Sequence, residues 1–222
     1  MNGALAVFVK TPGLSPLKTR LAAGFTTQLA EQFYHLAVQA TTEVVREAAL
    51  PKSIEPYYAV AEQQAIPCWT ALPAIWQGEG GLGERMDSIY RQLLARQDFV
   101  ILIGSDIPQL TADHLFKAIT ALRCCDFVVA PSQDGGFWLF GGRRALPARV
   151  WTEVAYSQAD TAQQFLHHLE AHGDVSMMDT LRDVDEVSDL PPLQQELAAL
   201  THPTPSQRQL LYFLEQNSFH YA

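Results

Sequence analysis

Six consecutive residues without a polar side chain, FVILIG at 99–104, constrain the fold more than any other stretch of this sequence. The run does not alternate apolar with polar, so neither face is prepared for water, and it is too short for a helix of ordinary length. A strand covered on both sides satisfies it, and that requires a sheet with helices packed on each face. GALAVFV at 3–9 has the same character and predicts the first strand of the same sheet. Between the two, residues 28–49 place Leu29, Phe33, Leu36, Ala40 and Val44 at steps of three and four. That spacing predicts a long amphipathic helix, ended by Pro51.

The pattern repeats along the chain. EPYYAV at 55–60 predicts a second strand, and the glycine-rich QGEGGLGERM at 77–86 runs into a helix carrying Met86, Ile89, Tyr90 and Leu93. After FVILIG, Thr111 is placed to cap a helix with Asp113 in its first turn. DFVVAP at 126–131 and GFWLFGG at 136–142 predict two further strands, the second following a tight DGG turn. Residues 160–172 read as a helix, 175–178 as a short strand and 191–200 as a helix opened by proline. A last helical segment runs from Thr204 to near Asn217. Strands alternating with helices give an α/β class, a three-layer α/β/α arrangement around a mostly parallel central sheet. With 222 residues, 48% of them hydrophobic, one large domain is expected rather than two. Residues 1–200 form that domain in this reading, and 201–222 form a C-terminal helical extension or oligomer contact. Oligomeric state is left open.

A net charge of −9 and a pI near 5.1 argue against nucleic acid or an anionic membrane as partner, since both require a basic face. A small-molecule partner is expected instead. No apolar run approaches the roughly 20 residues that span a bilayer, and MNGALAVFVK lacks the basic flank of a signal peptide. A cytoplasmic protein without membrane insertion is the expectation. Cys68, Cys124 and Cys125 form neither a CxxC pair nor a disulfide framework, and are expected to be reduced thiols.

In sheets of this kind ligands bind beyond the carboxyl ends of the strands, so the loops there are the candidates for chemistry. Lys10, Lys18 and Arg20 share the first of them, where a helix N-terminus favours an anion. GxxxxGK[ST] and GxGxxG are both absent, so spacing alone leaves phosphate binding and a solvated charged loop equally open. Asp106 follows FVILIG at once and suits a hard cation bridged to phosphates; it also suits an aspartate capping a turn before Pro108. Asp134 fits a site or the first residue of a DG turn. Asp183, Asp185 and Asp189 in RDVDEVSDL fit solvent-facing positions or a helix cap. His167, His168 and His172 match no metal-ligand spacing and read as structural. Phe137 and Trp138 could stack on a base, although aromatics within strands more often belong to the core.

Taken in order, VFVKTPGLSPLKTRLA, QGEGGLGERM, LIGSDIPQLTADHL, APSQDGGFWLFG and DVDEVSDL resemble the successive motifs of the bacterial DUF2064 or transferase-1 glycosyltransferase family. The resemblance covers about residues 4 to 190. That family has a GT-A-like nucleotide-diphospho-sugar transferase fold, and is more distantly similar to 2-phospho-lactate and molybdenum-cofactor guanylyltransferases. The resemblance implies that Lys10, Lys18 and Arg20 embrace nucleotide phosphates. It also implies that Gln77, Gly81 and Arg85 lie near the nucleotide or acceptor, and that Asp134, Gly135 and Gly136 face the second substrate. Asp106 and Asp185 would hold magnesium or manganese, and Asp106, Lys18 and Arg20 would carry the catalysis. The chain departs from the family pattern at Ser15, at Phe137 and over Tyr156, Ser157 and Gln158, the last two near the expected acceptor.

The expected reaction is transfer from a nucleotide-activated donor, most simply a glycosyl group passing from a nucleotide sugar to a small acceptor. A nucleotidyltransferase joining a nucleoside triphosphate to a phosphorylated small molecule, with release of pyrophosphate, needs the same cations and metal. A non-catalytic nucleotide-binding protein on the same fold is the third reading. Two geometric expectations follow. Lys18 and Arg20 should converge on Asp106, and Asp106 and Asp185, without a cation between them, should repel and raise a carboxylate pKa.

Overall fold

A computed structural model of the protein describes residues 1–24, 26–50 and 53–217. Pro51, expected to end the long helix, lies outside the described residues, as do residues 218–222 of the C-terminal segment. The strands are β1 (Gly3–Val9), β2 (Ile54–Val60), β3 (Ala74–Trp76), β4 (Phe99–Ile103), β5 (Phe127–Pro131), β6 (Phe137–Gly142) and β7 (Val175–Met177). They form one sheet in the order β3-β2-β1-β4-β6-β5-β7. Strand β6 runs antiparallel to both β4 and β5, and the remaining pairings are parallel. β4, the FVILI run, is the middle strand, and all five of its residues are buried. An unbroken apolar strand belongs there, since only a central position covers both of its faces.

The helices are α1 (Thr19–Gly24), α2 (Thr27–Ala48), α3 (Leu82–Leu94), α4 (Ala112–Ala121), α5 (Arg149–Thr152), α6 (Thr161–Glu170), α7 (Leu190–Ala198) and α8 (Pro205–Gln216). Alternate residues of a strand point to opposite faces, and β1 divides accordingly. Leu5, Val7 and Val9 join Val38 and Val45 of α2 and Leu115 of α4 in one core. Ala4 and Ala6 face Met86, Ile89 and Tyr90 of α3, with Trp151 and Phe165 from α5 and α6. A third cluster, Leu21, Phe33, Leu193, Leu210 and Leu214, binds α1, α7 and α8 to the outer side of α2. The C-terminal helix is therefore stitched into this layer. Glu43 accepts hydrogen bonds from the Ser206 N–H and hydroxyl, both at 2.8 Å. Gln207 donates to the carbonyls of Pro108 and Leu110 at 2.9 and 2.7 Å, on the loop after β4.

The long elements stand where apolar periodicity puts them. α1, β3 and α5 were not expected, and at six, three and four residues they are too short to display a period. For function, the decisive consequence is geometric. Lys10, Gln77, Asp106 and Asp134 follow the ends of β1, β3, β4 and β5, all on one rim of the sheet.

Candidate functional site

That rim borders a cavity of about 800 Å³, lined by every expected site residue except Gly135. Its first wall is the loop from β1 to α1, and the loop is braced from outside. The Tyr34 hydroxyl accepts from the Lys10 N–H at 2.8 Å and donates to the Lys10 carbonyl at 2.9 Å. The Glu62 carboxylate accepts from the Thr11 N–H at 2.8 Å and from the Ser15 hydroxyl. Burial would raise the Glu62 pKa, but these donors outweigh it and hold it below the ordinary value. The Trp69 indole N–H donates to the Thr11 hydroxyl at 3.0 Å.

At the inner end of this loop stands Lys18. Its side chain is 5% exposed, and its backbone lies in the left-handed region at φ +44°. Its ammonium group is 2.8 Å from Asp106 Oδ1 and 3.2 Å from Asp185 Oδ1, and donates to the Val184 carbonyl at 2.5 Å. An ammonium has three N–H donors, and here all three have partners. Burial alone would lower the Lys18 pKa; Asp106 and Asp185 together overcome that and raise it. The Val184 N–H donates to the Asp106 carbonyl at 3.0 Å, so the main chain itself docks the Asp185 segment against the end of β4. Arg20, 73% exposed, lies 3.8 Å from Asp185 Oδ2. Of the two cations expected to converge on Asp106, Lys18 pairs with it, whereas Arg20 pairs with Asp185, the carboxylate that the two cations share.

The glycine-rich segment forms the floor on the β3 side. Gln77 is buried, and its amide donates to the carbonyls of Ala59 at 2.8 Å and Val9 at 3.4 Å, tying β1 to β2. Gly81 is the N-cap of α3, with its N–H donating to Glu84 Oε2 at 2.9 Å, while Arg85 Nε donates to the Gly80 carbonyl at 3.0 Å. The opposite wall is the turn from β5 to β6. Asp134 Oδ1 accepts from the Gly136 N–H at 2.8 Å and the Ser132 hydroxyl at 2.5 Å, which is the turn-forming arrangement its DG sequence suggests. Gly135, at φ +91°, approaches the next segment so closely that a β-carbon there would lie 1.9 Å from the Ala159 carbonyl. Its own carbonyl accepts from the Ala162 N–H at 2.9 Å, at the start of α6. Ser157, in the segment held by this contact, has φ +61°. Among the described residues, Lys18 and Ser157 are the two non-glycine positions with positive φ. Both line the cavity, and strain retained at such positions is typical of binding sites.

The acidic group has a different membership from the expected pair. Asp134, Asp183 and Asp185 each place a carboxylate oxygen within 4.8 Å of the others. The Asp183 pKa is pushed up to about 6, first by burial and then by the charges of Asp134, Asp185 and Asp106. Burial is the larger cause at Asp183 and the neighbouring carboxylates add to it, while Lys18 stands between Asp106 and Asp185. Sequence reasoning left Asp183 among solvent-facing or capping positions. The signal available was its two-residue spacing from Asp185, which in an extended segment puts both side chains on one side. Asp189 precedes α7 without a side-chain capping bond to it; its Oδ2 instead accepts the N–H groups of Asp185 and Glu186, both at 2.9 Å, and closes the turn before it. Phe137 stacks on Phe165 with ring centres 4.8 Å apart, and Trp138 is buried with its indole donating to the Asp179 carbonyl at 3.1 Å. Both pack into the hydrophobic cores and both also line the cavity.

Among curated proteins, none matches the sequence. Among solved structures, the chain superposes on a protein from Desulfovibrio desulfuricans provisionally assigned as a nucleotide-diphospho-sugar transferase. The TM-score is 0.84 at 24% identity, covering 97% of this chain and 98% of that one. It also resembles CMP:2-keto-3-deoxy-manno-octonic acid synthetase complexed with CTP, with a TM-score of 0.54 at 10% identity over 89% and 99% of the two chains. For the 4-diphosphocytidyl-2C-methyl-D-erythritol synthase of Anaerococcus prevotii the TM-score is 0.54 at 12% identity, over 96% and 98%. These likenesses establish the fold of nucleotide-diphospho-sugar transferases. Residues 36–158 match the family described as an uncharacterized protein conserved in bacteria, and the chain belongs to that family, DUF2064.

Proposed function

We propose that the protein is a metal-dependent transferase acting on a nucleotide-activated donor, passing a glycosyl group from a nucleotide sugar to a small acceptor. The observation that carries this reading is the charge arrangement at the end of the central strand. Asp106 and Asp185 face one cavity with Lys18 between them, and Arg20 and Arg85 stand on its lining. Asp106 and Asp185 are the residues that would hold the metal, with Asp183 and Asp134 beside them, and carboxylate oxygens suit a hard cation. Magnesium or manganese bound there would supply charge to the donor's phosphates and the leaving group. Lys10, Lys18 and Arg20 would meet the phosphates, Gln77, Gly81 and Arg85 would border the nucleotide, and Asp134 to Gly136 would face the acceptor. A net charge of −9 keeps nucleic acid outside the candidate substrates. Among the described residues, no helix is long and apolar enough to cross a membrane.

Nucleotidyl transfer is the second reading, favoured by the likeness to a synthetase solved with CTP and to a diphosphocytidyl synthase. The two reactions leave different products. Incubation with a panel of nucleotide sugars and nucleoside triphosphates, with manganese and mixed small acceptors, should release a nucleoside diphosphate in the first case. It should release pyrophosphate in the second. Absence of turnover together with no nucleotide-dependent rise in thermal midpoint would overturn both.

A further inference from the structure

The geometry points to Lys18 as a built-in occupant of the cation position: it holds Asp106 and Asp185 together in the metal-free protein, and must leave them when a divalent ion binds. This inference rests on the metal reading proposed above and concerns how that site is regulated. Three observations carry it. The ammonium contacts one oxygen of each carboxylate, at 2.8 and 3.2 Å. Its third donor is spent on the Val184 carbonyl, on a residue that is itself fully buried. And Lys18 reaches this place from a left-handed backbone, φ +44°, a conformation that a lysine adopts only where its surroundings fix it.

The consequence is competition. A divalent ion needs the same carboxylate oxygens at coordination distance, and two cations on the same oxygens repel each other. Lys18 can turn outward, because it already lines the cavity. In doing so it gives up the Val184 carbonyl, and a buried acceptor left without its donor is costly. The metal alone should therefore bind weakly. A nucleotide's phosphates would offer the released ammonium a new partner, making metal and nucleotide binding mutually reinforcing. Lys18 is in this sense a positioning residue whose removal should favour one ligand and disfavour the other, unlike a residue that only holds the fold.

The test is manganese titration of the full chain without nucleotide, followed by the paramagnetic resonance of the free ion, for wild type and Lys18→Met. Lys117→Met, which removes an exposed cation paired with Asp179 outside the cavity lining, controls for net charge. Lys18→Met should bind manganese about tenfold more tightly than wild type, within the usual range of such couplings, and Lys117→Met should be nearly unchanged. Its affinity for a nucleoside diphosphate in the presence of manganese should fall. A second measurement uses wild type alone, so it does not depend on the variant folding. Acylation of Lys18, followed by mass spectrometry, should be slow in the metal-free protein and accelerate once manganese is bound. If wild type binds manganese while Lys18→Met binds it no more tightly, or if Lys18 stays equally protected with manganese bound, the inference is overturned and the metal reading stands. If wild type binds no manganese with or without a nucleoside diphosphate, the metal reading itself fails and takes this inference with it.

Discussion

The two walls of the cavity are built on opposite electrostatic plans. On the side of the β1 loop, charge is compensated: Lys18 is matched by Asp106 and Asp185, and the loop is braced by Tyr34, Glu62 and Trp69. On the side of the β5 to β6 turn, Asp134 and Asp183 crowd against Asp185, and burial first, then the neighbouring negative charge, raises the pKa of Asp183. Both walls are fixed by side-chain hydrogen bonds, and the second adds a glycine pressed against the Ala159 carbonyl. The difference teaches that the cavity presents a settled cation on one side and an unmet demand for positive charge on the other. The divalent ion proposed above would answer that demand.

The comparison can be broken most severely at the second wall. Gly135→Ala meets both a positive φ and a backbone oxygen 1.9 Å from the new carbon, so the turn must move. We expect a loss of about 3 kcal/mol in unfolding free energy, read from denaturant titration, the range of strain and overpacking combined. A variant as stable as wild type would mean that this wall is not fixed by the close approach.

Next in size is Asp106→Asn, which keeps the side chain's shape and removes the charge on which both Lys18 and the proposed metal depend. Nucleotide affinity in manganese, measured by calorimetry, should fall about 100-fold, corresponding to roughly 2.7 kcal/mol. Full retention of the manganese-dependent gain would assign the metal to Asp134, Asp183 and Asp185 without Asp106.

Arg20→Ala sharpens the contrast between holding the fold and holding a ligand. Its ion pair with Asp185 is long, 3.8 Å, and the guanidinium is 73% exposed. Unfolding free energy should therefore change by less than about 0.5 kcal/mol, while nucleotide affinity drops about tenfold through the lost phosphate contact. Unchanged affinity would leave Arg20 as a solvated surface charge.

The smallest effect lies away from the cavity and separates its pH response from that of the rest of the molecule. His114 in α4 has its pKa lowered, chiefly by burial, and its Nδ1 accepts the Thr111 N–H at 3.1 Å. The folded state therefore takes up its proton less readily than the unfolded chain, whose histidine titrates near 6.5. Stability from this group is complete above that value and declines as pH falls below it. His114→Gln should flatten the thermal midpoint between pH 7 and 5. A slope identical to wild type would place the acid sensitivity elsewhere.

Much of the frame was legible beforehand. FVILIG declared a central strand because an unbroken apolar run has no wet face, and the three-and-four spacing from Leu29 to Val44 declared α2. DGG announced its turn because Asp134 accepts hydrogen bonds within two residues of itself. All of these are local properties, carried by neighbours in the chain. Even the rim that gathers Lys10, Asp106 and Asp134 follows from topology alone, since parallel strands end on one side.

The partners within that rim followed from nothing local. Lys18 meets the Val184 carbonyl across 166 residues, and no periodicity records that its ammonium would sit between Asp106 and Asp185, or that Asp134 and Asp183 would gather beside Asp185. α1, β3 and α5 were missed for a related reason, being too short to display a period. The sequence by itself determined which segments are apolar on which faces, hence the layers, the central strand and the rim. Tertiary structure alone decided which charges touch, because apolar burial depends on pattern whereas Coulomb and hydrogen-bond partners depend on distances of a few ångströms between remote segments.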